Sequence, residues 1–447
     1  MISRLFFATL LAAAFTTSSL SAQDTDTEGF VSLYNGKDLS GWVPCNVAAD
    51  TFQAKDGYIM TTGIPTGVMR TERMYENFII ELEWRHLKEA GNAGLFIWGE
   101  SIPAPGVPFS RGIEVQILDL GYEKNKGAKE WFTSHGDIFP IWGATMTAVD
   151  PVAKGGKRSF PKEDRVKPSP EWNHYRAVCN NGEIRLSVNG KEVTVGRDCL
   201  PRKGYICLES EGSEAHFRNI RIKELPSTGA TAEQTIRDFS GFKQLFDGKT
   251  LKGWATPDDL DKWWSAQGAF FHVKEGKLGK GKDLWTEKSY KDFQLIVDWR
   301  MPTKPEPKKL IVIAPDGKEA VNPDGTKQTV EVMDAGDSGI FLRGTKKAQV
   351  NIFCRPCGSG EVNGFRMAKD TPDDTRKLYV PKEKADNKPG IWNRFVITLQ
   401  KGKLSVELNE KLVIDQAPVP GLPEKGPIGL QHHGDEMQFG NIFIKEL

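Results

Sequence analysis

The sequence has almost no excess of charge of either sign. Its 60 lysines and arginines are matched by 59 aspartates and glutamates, which leaves a formal net charge of +1. Proteins that bind nucleic acid or anionic membrane surfaces typically carry a basic excess or a basic patch. The charge balance therefore gives no reason to expect either kind of partner.

Long apolar runs are also lacking beyond the N-terminus. Arg4 precedes an apolar run at residues 5–15, and small residues follow up to Ala22. A basic start, a short apolar core and a small-residue exit are the parts of a cleavable signal peptide, and the run is too short to span a bilayer. We therefore expect residues 1–22 to be removed, and the mature protein to be secreted or periplasmic with no membrane attachment.

Cysteine is scarce, at six residues in 447. Export would permit disulfides. Cys354 and Cys357 form a C-x-x-C motif that lacks a second such motif and the βαβ pattern of thioredoxins, which favours a local disulfide or free thiols over a zinc or redox site. The other four lie in the first half and allow three disulfide pairings: Cys45, Cys179, Cys199 and Cys207.

The chain contains one internal repeat. Residues 29–42 (GFVSLYNGKDLSGW) recur as 241–254 (GFKQLFDGKTLKGW), and residues 217–225 (FRNIRIKEL) recur as 439–447 (FGNIFIKEL). Matches in the same order over both halves predict two copies of one domain. The residues between the copies are small and polar, as is typical of a linker. The predicted division is a first domain at 28–225, a linker at 226–238 and a second domain at 239–447.

Within each copy the hydrophobic period is two. Apolar and polar residues alternate at 78–85 and at 293–300, and again before the turn residues Asn189 and Gly190. Strict alternation is typical of strands that pack on one face only, and Asn-Gly favours a two-residue hairpin turn. The sequence therefore predicts an all-β protein made of two tandem β-sandwiches of the jelly-roll kind.

Taken together, these motifs resemble a known family. The opening segment 29–42, the strand 114–119 (EVQILD), the segment 171–173 (EWN) and the closing segment 217–225 are similar to the 3-keto-disaccharide hydrolase family, also described as 3-keto-glucoside-1,2-lyase/3-keto-2-hydroxy-glucal hydratase. The resemblance covers nearly all of the expected mature chain, once per repeat. It implies a concanavalin-like jelly roll, export from a bacterium, and action on glycosides whose C3 hydroxyl has been oxidised to a ketone.

The implied chemistry defines what the site must contain. A ketone at C3 acidifies the C2 hydrogen, so a base can remove it and the glycosidic oxygen can leave from C1 by β-elimination. Water addition then gives net hydrolysis. The site needs a base, an acid for the leaving oxygen and a group that stabilises the enolate, which a divalent metal cation could supply. No dinucleotide-binding fingerprint is visible, so we expect no organic cofactor and a separate sugar 3-dehydrogenase that makes the ketone.

In the first copy, Glu114 and Gln116 share one face of a predicted strand. Asp119 joins them only if a bulge follows Ile117. The spacing is similar to the E-x-D-x-x-E strand of jelly-roll glucanases, but an amide replaces the middle acid, which argues against ordinary retaining hydrolysis. Glu114 is a candidate catalytic group, and the alternative is a solvated strand face.

A second concentration of polar and aromatic residues lies at 131–140 (WFTSHGDIFP). His135 is the leading candidate for a base or a metal ligand because imidazole titrates near neutral pH, although a lone histidine is more often structural. Trp98, Trp131 and Trp142 could stack on sugar rings or belong to the core. The candidate substrate contacts of the first copy are Gln116, Asp119, Trp131, Asp137 and Trp142.

The second copy departs from this pattern because an amide, Gln349, stands where the first copy has an acid. An amide hydrogen-bonds sugar hydroxyls but cannot act as a general base. This copy is predicted to be a binding module, or alternatively a second enzyme that uses His432 and Glu361. Its candidate substrate contacts are Arg343, Gln349, Asn351, Glu361 and His432.

The overall prediction is an exported enzyme that cleaves 3-keto-glycosides with Glu114 and His135 at its centre. A non-catalytic protein that holds a polysaccharide or another carbohydrate through two lectin-like domains is the main alternative. A conventional glycoside hydrolase is a third possibility and requires two suitably spaced carboxyl groups across a groove.

Overall fold

The computed structural model describes residues 28–124, 130–133, 136–255, 259–276 and 283–447, and these residues are almost entirely strands and turns. The first domain contains β1 (Val31–Ser32), β2 (Trp42–Cys45), β3 (Phe52–Lys55), β4 (Tyr58–Thr61), β5 (Gly67–Thr71), β6 (Phe78–His86), β7 (Asn92–Gly99), β8 (Gly112–Leu118), β9 (Ile138–Ile141), β10 (Thr145–Ala148), β11 (Asn173–Asn180), β12 (Glu183–Val188), β13 (Lys191–Leu200), β14 (Tyr205–Ser210) and β15 (Ala215–Glu224).

The second domain contains β16 (Lys243–Gln244), β17 (Trp254–Ala255), β18 (Trp264–Gln267), β19 (Phe270–Val273), β20 (Leu284–Thr286), β21 (Phe293–Arg300), β22 (Glu306–Ile311), β23 (Thr329–Asp334), β24 (Asp337–Leu342), β25 (Thr345–Phe353), β26 (Asn393–Gln400), β27 (Lys403–Leu408), β28 (Lys411–Pro418), β29 (Gly429–Leu430) and β30 (Met437–Glu446). Its two α-helices are single turns, α1 (Asn363–Arg366) and α2 (Asp373–Arg376). Short 3-10 turns lie at Leu120–Lys124 in the first domain and at Leu260–Lys262 and Lys377–Tyr379 in the second. None of the helices in the described residues has the length and apolarity that a membrane span requires.

Each domain is a sandwich of two antiparallel sheets. In the first domain the back sheet has the order β10-β13-β12-β11-β6-β15-β4-β3, with β1 beside β15, and the front sheet has the order β2-β5-β14-β7-β8-β9. The second domain repeats this plan with a back sheet β18-β19-β30-β21-β26-β27-β28 and a front sheet β17-β20-β29-β24-β25, and it adds the hairpin β22-β23. Neighbouring strands that are distant in sequence, such as β6 and β15, give the Greek-key connectivity of a jelly roll. The predicted fold class is confirmed.

The alternation read from the sequence decides which face of each strand packs. Phe78, Ile80, Leu82 and Trp84 of β6 all point into a core between the two sheets of the first domain and are almost fully buried. The second domain has its own core of the same design, built between its own sheets. Because each sandwich fills its own interior, the two domains need no shared core.

A third apolar cluster joins the two domains. The outer face of the first domain's front sheet presents Phe96, Tyr205 and Cys207 to Ile296, Val396 and Phe443 on the outer face of the second domain's back sheet. The last three residues form one cross-strand row, because Ile296 pairs with both Val396 and Phe443. We call this row, together with the neighbouring residues Asp298, Arg394 and Asn441, the docking face of the second domain.

The segment between the domains is ordered rather than a free tether. The Glu76 carboxylate accepts hydrogen bonds from the backbone of Thr228 and Ala230, each at 3.0 Å. Further along, Ile236 and Phe239 are buried in the interdomain cluster. Residues of the segment 226–238 therefore bind it to the first domain, which restricts the position of the second domain relative to the first.

None of the six cysteines forms a disulfide in the structure. The four in the first half are buried, and the two of the C-x-x-C motif are partly exposed. Cys354 and Cys357 therefore follow the free-thiol alternative, and the other four cysteines form none of the disulfide pairings that the sequence allows. The predicted signal peptide, residues 1–22, lies outside the described residues.

Candidate active site

The second domain covers only part of the first domain's front sheet, and a cavity of about 440 Å³ opens on the part that remains. Its size is within the usual range for small-molecule sites. The floor comes from β7, β8 and β14, and the walls come from β9 and from the loop between β7 and β8. The cavity is lined by Asn92, Phe109, Glu114, Gln116, Phe139, Pro140, Ile141, Trp142, Glu209 and Glu211.

Two carboxylates meet on the floor of this cavity. Glu114 lies on β8 and Glu209 on β14, on either side of β7, and Gly94 of β7 lies between them. A Cβ atom at Gly94 would be 2.9 Å from Glu209 Oε2 and 3.0 Å from Glu114 Oε1. Those distances add to 5.9 Å, so the two oxygens can be no farther apart than that. Glycine at this position leaves open the space between the carboxylates, which a side chain would enter.

Burial gives both carboxyl groups an unusual affinity for protons. Glu114 is 7% exposed and Glu209 is 1% exposed. Burial raises the pKa of Glu114 to about 8, against a lowering effect of the nearby Arg158 guanidinium. Burial, followed by the charges of Glu114 and Glu211, raises the pKa of Glu209 well above its usual range. The pair therefore retains protons near neutral pH, which suits one group to accept a proton and the other to donate one.

A network of polar groups fixes a cation beside the pair. Arg158 Nη1 donates to Asp137 Oδ2 at 3.1 Å and to Gln116 Oε1 at 3.4 Å. Asp137 also accepts a hydrogen bond from the backbone N–H of Thr133 at 2.8 Å. Gln116 Nε2 donates to Asn92 Oδ1 at 3.2 Å. Arg158 thereby brings a positive charge to the edge of the cavity, where negative charge on a bound molecule would be stabilised.

Two aromatic rings form an apolar wall. Phe109 and Trp142 stack with their centroids 6.2 Å apart and their planes 9° apart. Trp142 is 50% exposed, so much of its surface is available for a ligand. An exposed aromatic face beside polar groups is the arrangement that stacks on the apolar face of a sugar ring.

The structure brings together four of the residues singled out in the first copy. Glu114, Gln116 and Trp142 line the cavity, and Asp137 lies behind Gln116 through Arg158. His135 lies outside the described residues, so its proposed role stays a prediction.

Three other residues of the first copy lie elsewhere. The bulge that Asp119 would need is absent, because β8 ends at Leu118 in regular register, and Asp119 instead accepts backbone hydrogen bonds from Ala90, Gly121 and Ser169. Asp119 is not among the residues that line the cavity, and its inclusion among the substrate contacts stays a prediction. Trp98 belongs to the core, where its Nε1 donates to a backbone carbonyl. Trp131 is exposed and lies outside the cavity lining, with the ammonium of Lys154 5.4 Å from its ring.

The second domain repeats the floor of the site but replaces both acids by amides. Gln349 pairs with Phe341 in the register in which Glu114 pairs with Phe96, so Asn351 corresponds to Gln116. By the same register, Gln431 follows Leu430 where Glu209 follows Leu208. Gln349 Nε2 donates to Gln431 Oε1 at 2.5 Å, so these amides lie together as the acids do.

Of the other three residues proposed in the second copy, one keeps its place in this pattern. The Glu361 side chain is buried and forms an ion pair with Arg366. The backbone carbonyl of Glu361 accepts a hydrogen bond from the Asn351 N–H, just as the backbone carbonyl of Asp137 accepts one from the Gln116 N–H. Arg343 lies at the turn between β24 and β25, where it donates to Lys291 O at 2.6 Å and to Asp292 at 2.8 Å. These bonds hold the turn, and a contact of Arg343 with substrate stays a prediction. The His432 ring packs edge-on against Trp263, with the ring centroids 5.1 Å apart.

Glu209 was not identified from the sequence, although a signal was present. Tyr205, Cys207 and Glu209 alternate along β14, which places an acid on the outer face of an otherwise apolar strand. In the repeat the same position is Gln431, so both acids of the pair change to glutamine together. Replacement of both acids in the same copy indicates that the two residues act together.

The described residues contain no group of three or more histidine, cysteine, aspartate or glutamate side chains placed to hold a metal ion. His135, the residue considered as a metal ligand, is not among them.

Comparison with known proteins identifies several relatives. A 3-keto-disaccharide hydrolase of Bacteroides thetaiotaomicron is 23% identical over 278 residues, which cover 53% of this chain and 88% of that protein. A protein of Parabacteroides distasonis, provisionally described as a glycosyl hydrolase, is 23% identical with a TM-score of 0.33 over 44% of this chain and 95% of its own. A carbohydrate-binding module of Bacillus subtilis, CBM66, is 10% identical with a TM-score of 0.29 over 41% of this chain and 96% of its own. At TM-scores this low, the fold assignment depends on the strand order of this chain itself.

A family model gives the more specific result. The model of the 3-keto-alpha-glucoside-1,2-lyase-like domain matches residues 29–223 and again residues 241–445. The two matches fall on the two sandwiches and leave out only the termini and the segment between the domains. The chain therefore belongs to the family of 3-keto-alpha-glucoside-1,2-lyase-like domains, of which it carries two copies in tandem.

Proposed function

We propose that the first domain cleaves 3-keto-glycosides and that Glu114 and Glu209 are its proton-transfer groups. The observation that carries the proposal is the pair of buried carboxylates on the cavity floor, both with raised pKa. Arg158 lowers the pKa of Glu114 against the effect of burial, whereas the charges of Glu114 and Glu211 add to burial at Glu209, so Glu114 is assigned as the base. Burial and the neighbouring negative charges favour the protonated form of Glu209, which suits it to protonate the leaving oxygen.

The proposed reaction begins with transfer of the C2 proton of the keto-sugar to Glu114. The C2–H electron pair forms the enolate of the C3 ketone, and this enolate then expels the glycosidic oxygen from C1. Glu209 supplies the proton that converts the leaving oxygen to an alcohol. The products are the free aglycone and a 2-hydroxy-glucal with a C3 ketone. Addition of water across C1 and C2 places a hydroxyl on C1 and a proton on C2, so the sum of the steps is hydrolysis.

The remaining groups of the site match the other needs of this reaction. The Arg158 guanidinium and the Gln116 amide lie at the edge of the floor and are suited to stabilise the enolate oxygen. Trp142, stacked on Phe109, is suited to bind the apolar face of a sugar ring. A divalent cation would serve the enolate oxygen in the same way as Arg158, and His135 is the residue predicted to contact it.

The second domain is proposed to bind carbohydrate rather than to transform it. Its amides Gln349 and Gln431 occupy the positions of the two acids and cannot transfer a proton at neutral pH. Amides do hydrogen-bond sugar hydroxyls, so recognition without turnover is the function that this face retains. The two domains would then divide the work, with chemistry in the first and binding in the second.

The carboxylate geometry also supports a second candidate. Retaining glycoside hydrolases hold their two carboxyl groups about 5–5.5 Å apart. The limit of 5.9 Å between Glu114 and Glu209 is compatible with that arrangement. A conventional retaining hydrolase would cleave a glycoside that has not been oxidised, so substrate choice separates the two candidates.

The proposed setting is outside the cytoplasm. The N-terminal segment with its basic start and short apolar run supports export. A separate sugar 3-dehydrogenase would supply the ketone, because the proposed elimination starts from an oxidised sugar and makes no net change in oxidation state.

The decisive experiment incubates the full chain with 3-keto-trehalose, a 3-keto-β-glucoside and the corresponding unoxidised sugars, and follows the products by mass spectrometry. Release of the aglycone together with a 2-hydroxy-glucal or 3-keto-glucose supports the proposal, and cleavage of the unoxidised sugars instead supports the retaining hydrolase. Binding without any turnover supports the non-catalytic alternative. Loss of activity with a chelator assigns a metal ion.

A matched pair of variants locates the chemistry. Glu114→Ala should abolish turnover, whereas Gln349→Ala, the same change at the corresponding position of the second domain, should leave it unchanged. Equal losses in both variants would contradict the division of work between the domains.

A further inference from the structure

One wall of the cavity belongs to a loop that both domains contact, since Arg70 of the first domain donates to Ser101 O at 2.8 Å and Asp298 of the second accepts from Gly106. The residues 100–111 connect β7 to β8, and we call them the cavity loop. Its backbone bonds to itself include those from Glu100 to Arg111 at 2.9 Å, from Ala104 to Phe109 at 2.8 Å and from Val107 to Ala104 at 3.2 Å. Phe109, near the end of this loop, lines the cavity and stacks on Trp142. The position of this wall therefore depends on whatever holds the loop.

The second domain holds the loop through its backbone. Asp298 Oδ2 accepts a hydrogen bond from the Gly106 N–H at 2.9 Å. Arg394 Nη2 donates to the carbonyl of Pro103 at 2.7 Å, and Asn441 Nδ2 donates to the carbonyl of Ala104 at 2.7 Å. Three successive parts of the loop are thus tied to the docking face.

The groups that hold the loop are fixed relative to one another. Asp298, on β21, is fully buried and accepts from Arg394 of β26 at 2.6 and 2.8 Å and from Asn441 of β30 at 2.6 Å. These three strands are adjacent in the back sheet of the second domain. A buried, fully bonded network on adjacent strands is rigid, so it provides a firm base for the loop.

Trp392 packs against the same turn of the loop. A Cβ atom at Gly106 would come within 2.1 Å of the Trp392 ring, so the backbone at Gly106 lies directly on the indole. Gly106 has a φ of +72°, which also favours glycine. A side chain at residue 106 would therefore prevent this contact between the loop and the Trp392 ring.

The corresponding surface of the first domain has no such role. Trp172 occupies the position of Trp392 in the repeat, and its ring lies under the guanidinium groups of Arg85 and Arg218, at 4.6 and 3.9 Å. Glu83 occupies the position of Asp298 and forms an ion pair with Arg218. The second copy thus makes the contacts with the loop, although Trp172 and Asn219 of the first copy stand at the positions of Trp392 and Asn441.

We propose that the second domain is a positioning element of the first domain's active site, which acts by fixing the cavity loop and with it the Phe109–Trp142 wall. Asp298, Arg394, Asn441 and Trp392 are positioning residues, since they touch the loop and not the cavity. The second copy is then required for tight substrate binding in the first, independently of any ligand that it binds itself. The kinetic part of this proposal rests on the proposed function, whereas the ordering of the loop does not.

The test uses Trp392→Ala in the full chain, with Trp172→Ala as the matched control. Hydrogen exchange measured by mass spectrometry should show faster exchange in the peptide that covers residues 100–111 of Trp392→Ala only. The KM for the cleaved 3-keto-glycoside should rise roughly three- to tenfold with a smaller change in kcat, as loss of one ordered aromatic contact predicts. Trp392→Phe should restore most of both effects.

Two results would overturn the proposal. Unchanged exchange in residues 100–111 of both Trp392→Ala and Asp298→Asn would show that the loop is held without the second domain. Faster exchange with an unaltered KM would show that the loop moves without consequence for the site. If the wild-type protein cleaves no keto-sugar, the exchange result still decides whether the second domain orders the loop, so failure of the proposed function is seen separately.

Discussion

Replacing Glu114 by glutamine is expected to remove activity and, at the same time, to stabilise the fold by an amount that grows with pH. Glutamine keeps the shape of the side chain but cannot accept a proton. Loss of a positioned general base costs about 10²–10⁴ in rate, so turnover should fall by that factor. The stabilisation has a separate cause, which is the burial of an ionisable group.

The size of the stabilisation follows from the pKa of Glu114. Burial raises this pKa from 4.5 to about 8. Between those two values the folded protein binds one more proton at this site than the unfolded chain, so the free energy of unfolding falls as pH rises. The fall is about 1.4 kcal/mol per pH unit, or about 3 kcal/mol accumulated by pH 7. Glutamine has no proton to lose and escapes this penalty.

The assay is urea unfolding of the wild-type protein and of Glu114→Gln at several pH values between 5 and 9. The difference in unfolding free energy should increase with pH and level off above about 8, where the folded protein also loses the proton. Gln349→Glu in the second domain is the control, because Gln349 is partly exposed and a carboxyl group there should produce a weaker pH dependence. A difference that stays constant over the whole range would refute the reasoning.

Further measurements test the Glu114–Glu209 pair, Trp142, Asp119 and the second domain. Glu209→Gln should lower kcat as Glu114→Gln does. The double variant should lose little more activity than either single variant, since the two carboxyl groups act as a unit. Additive losses in steady-state assays would show that the two groups act independently. In wild type, kcat/KM should rise with pH as Glu114 loses its proton, with a midpoint of about 8, and a flat profile would exclude Glu114 as the base. Trp142→Ala should raise KM more than it lowers kcat, which steady-state kinetics would show or contradict. Asp119→Ala should lower the unfolding midpoint in urea by leaving three backbone N–H groups without an acceptor, with kcat preserved in the folded fraction. The fragment 239–447 should fold, because its core is its own, but should self-associate through its exposed docking face in sedimentation experiments.

The docking face differs in residue type between the two repeats. Ile296, Val396 and Phe443 correspond to Glu81, Arg176 and Arg221 of the first copy, which form a charged network on the exposed back sheet. An apolar row in one copy where the other is charged indicates a surface that is covered in one and exposed in the other. The sequence contains this contrast, yet it does not state which surface of the first domain provides the cover.

The sequence by itself determined the architecture. The internal repeat gave two copies of one domain, and the period of two in segments such as 78–85 gave strands with one packed face. These features follow from local rules, because alternation along a strand decides directly which side chains can be buried together. Glu114 and Gln116 were found for the same reason, since two polar residues on one face of a single strand are visible in the sequence.

Only the tertiary structure decided what completes the site. Glu209 is 95 residues beyond Glu114, and the two meet because β7 lies between their strands and offers Gly94 instead of a side chain. Their raised pKa values arise from burial, which depends on packing of the whole sheet. The surroundings of Asp119 were not visible in the sequence because three backbone groups from different loops form them. Sequence periodicity describes one strand at a time, whereas proton affinity and substrate contact depend on which strands the fold places side by side.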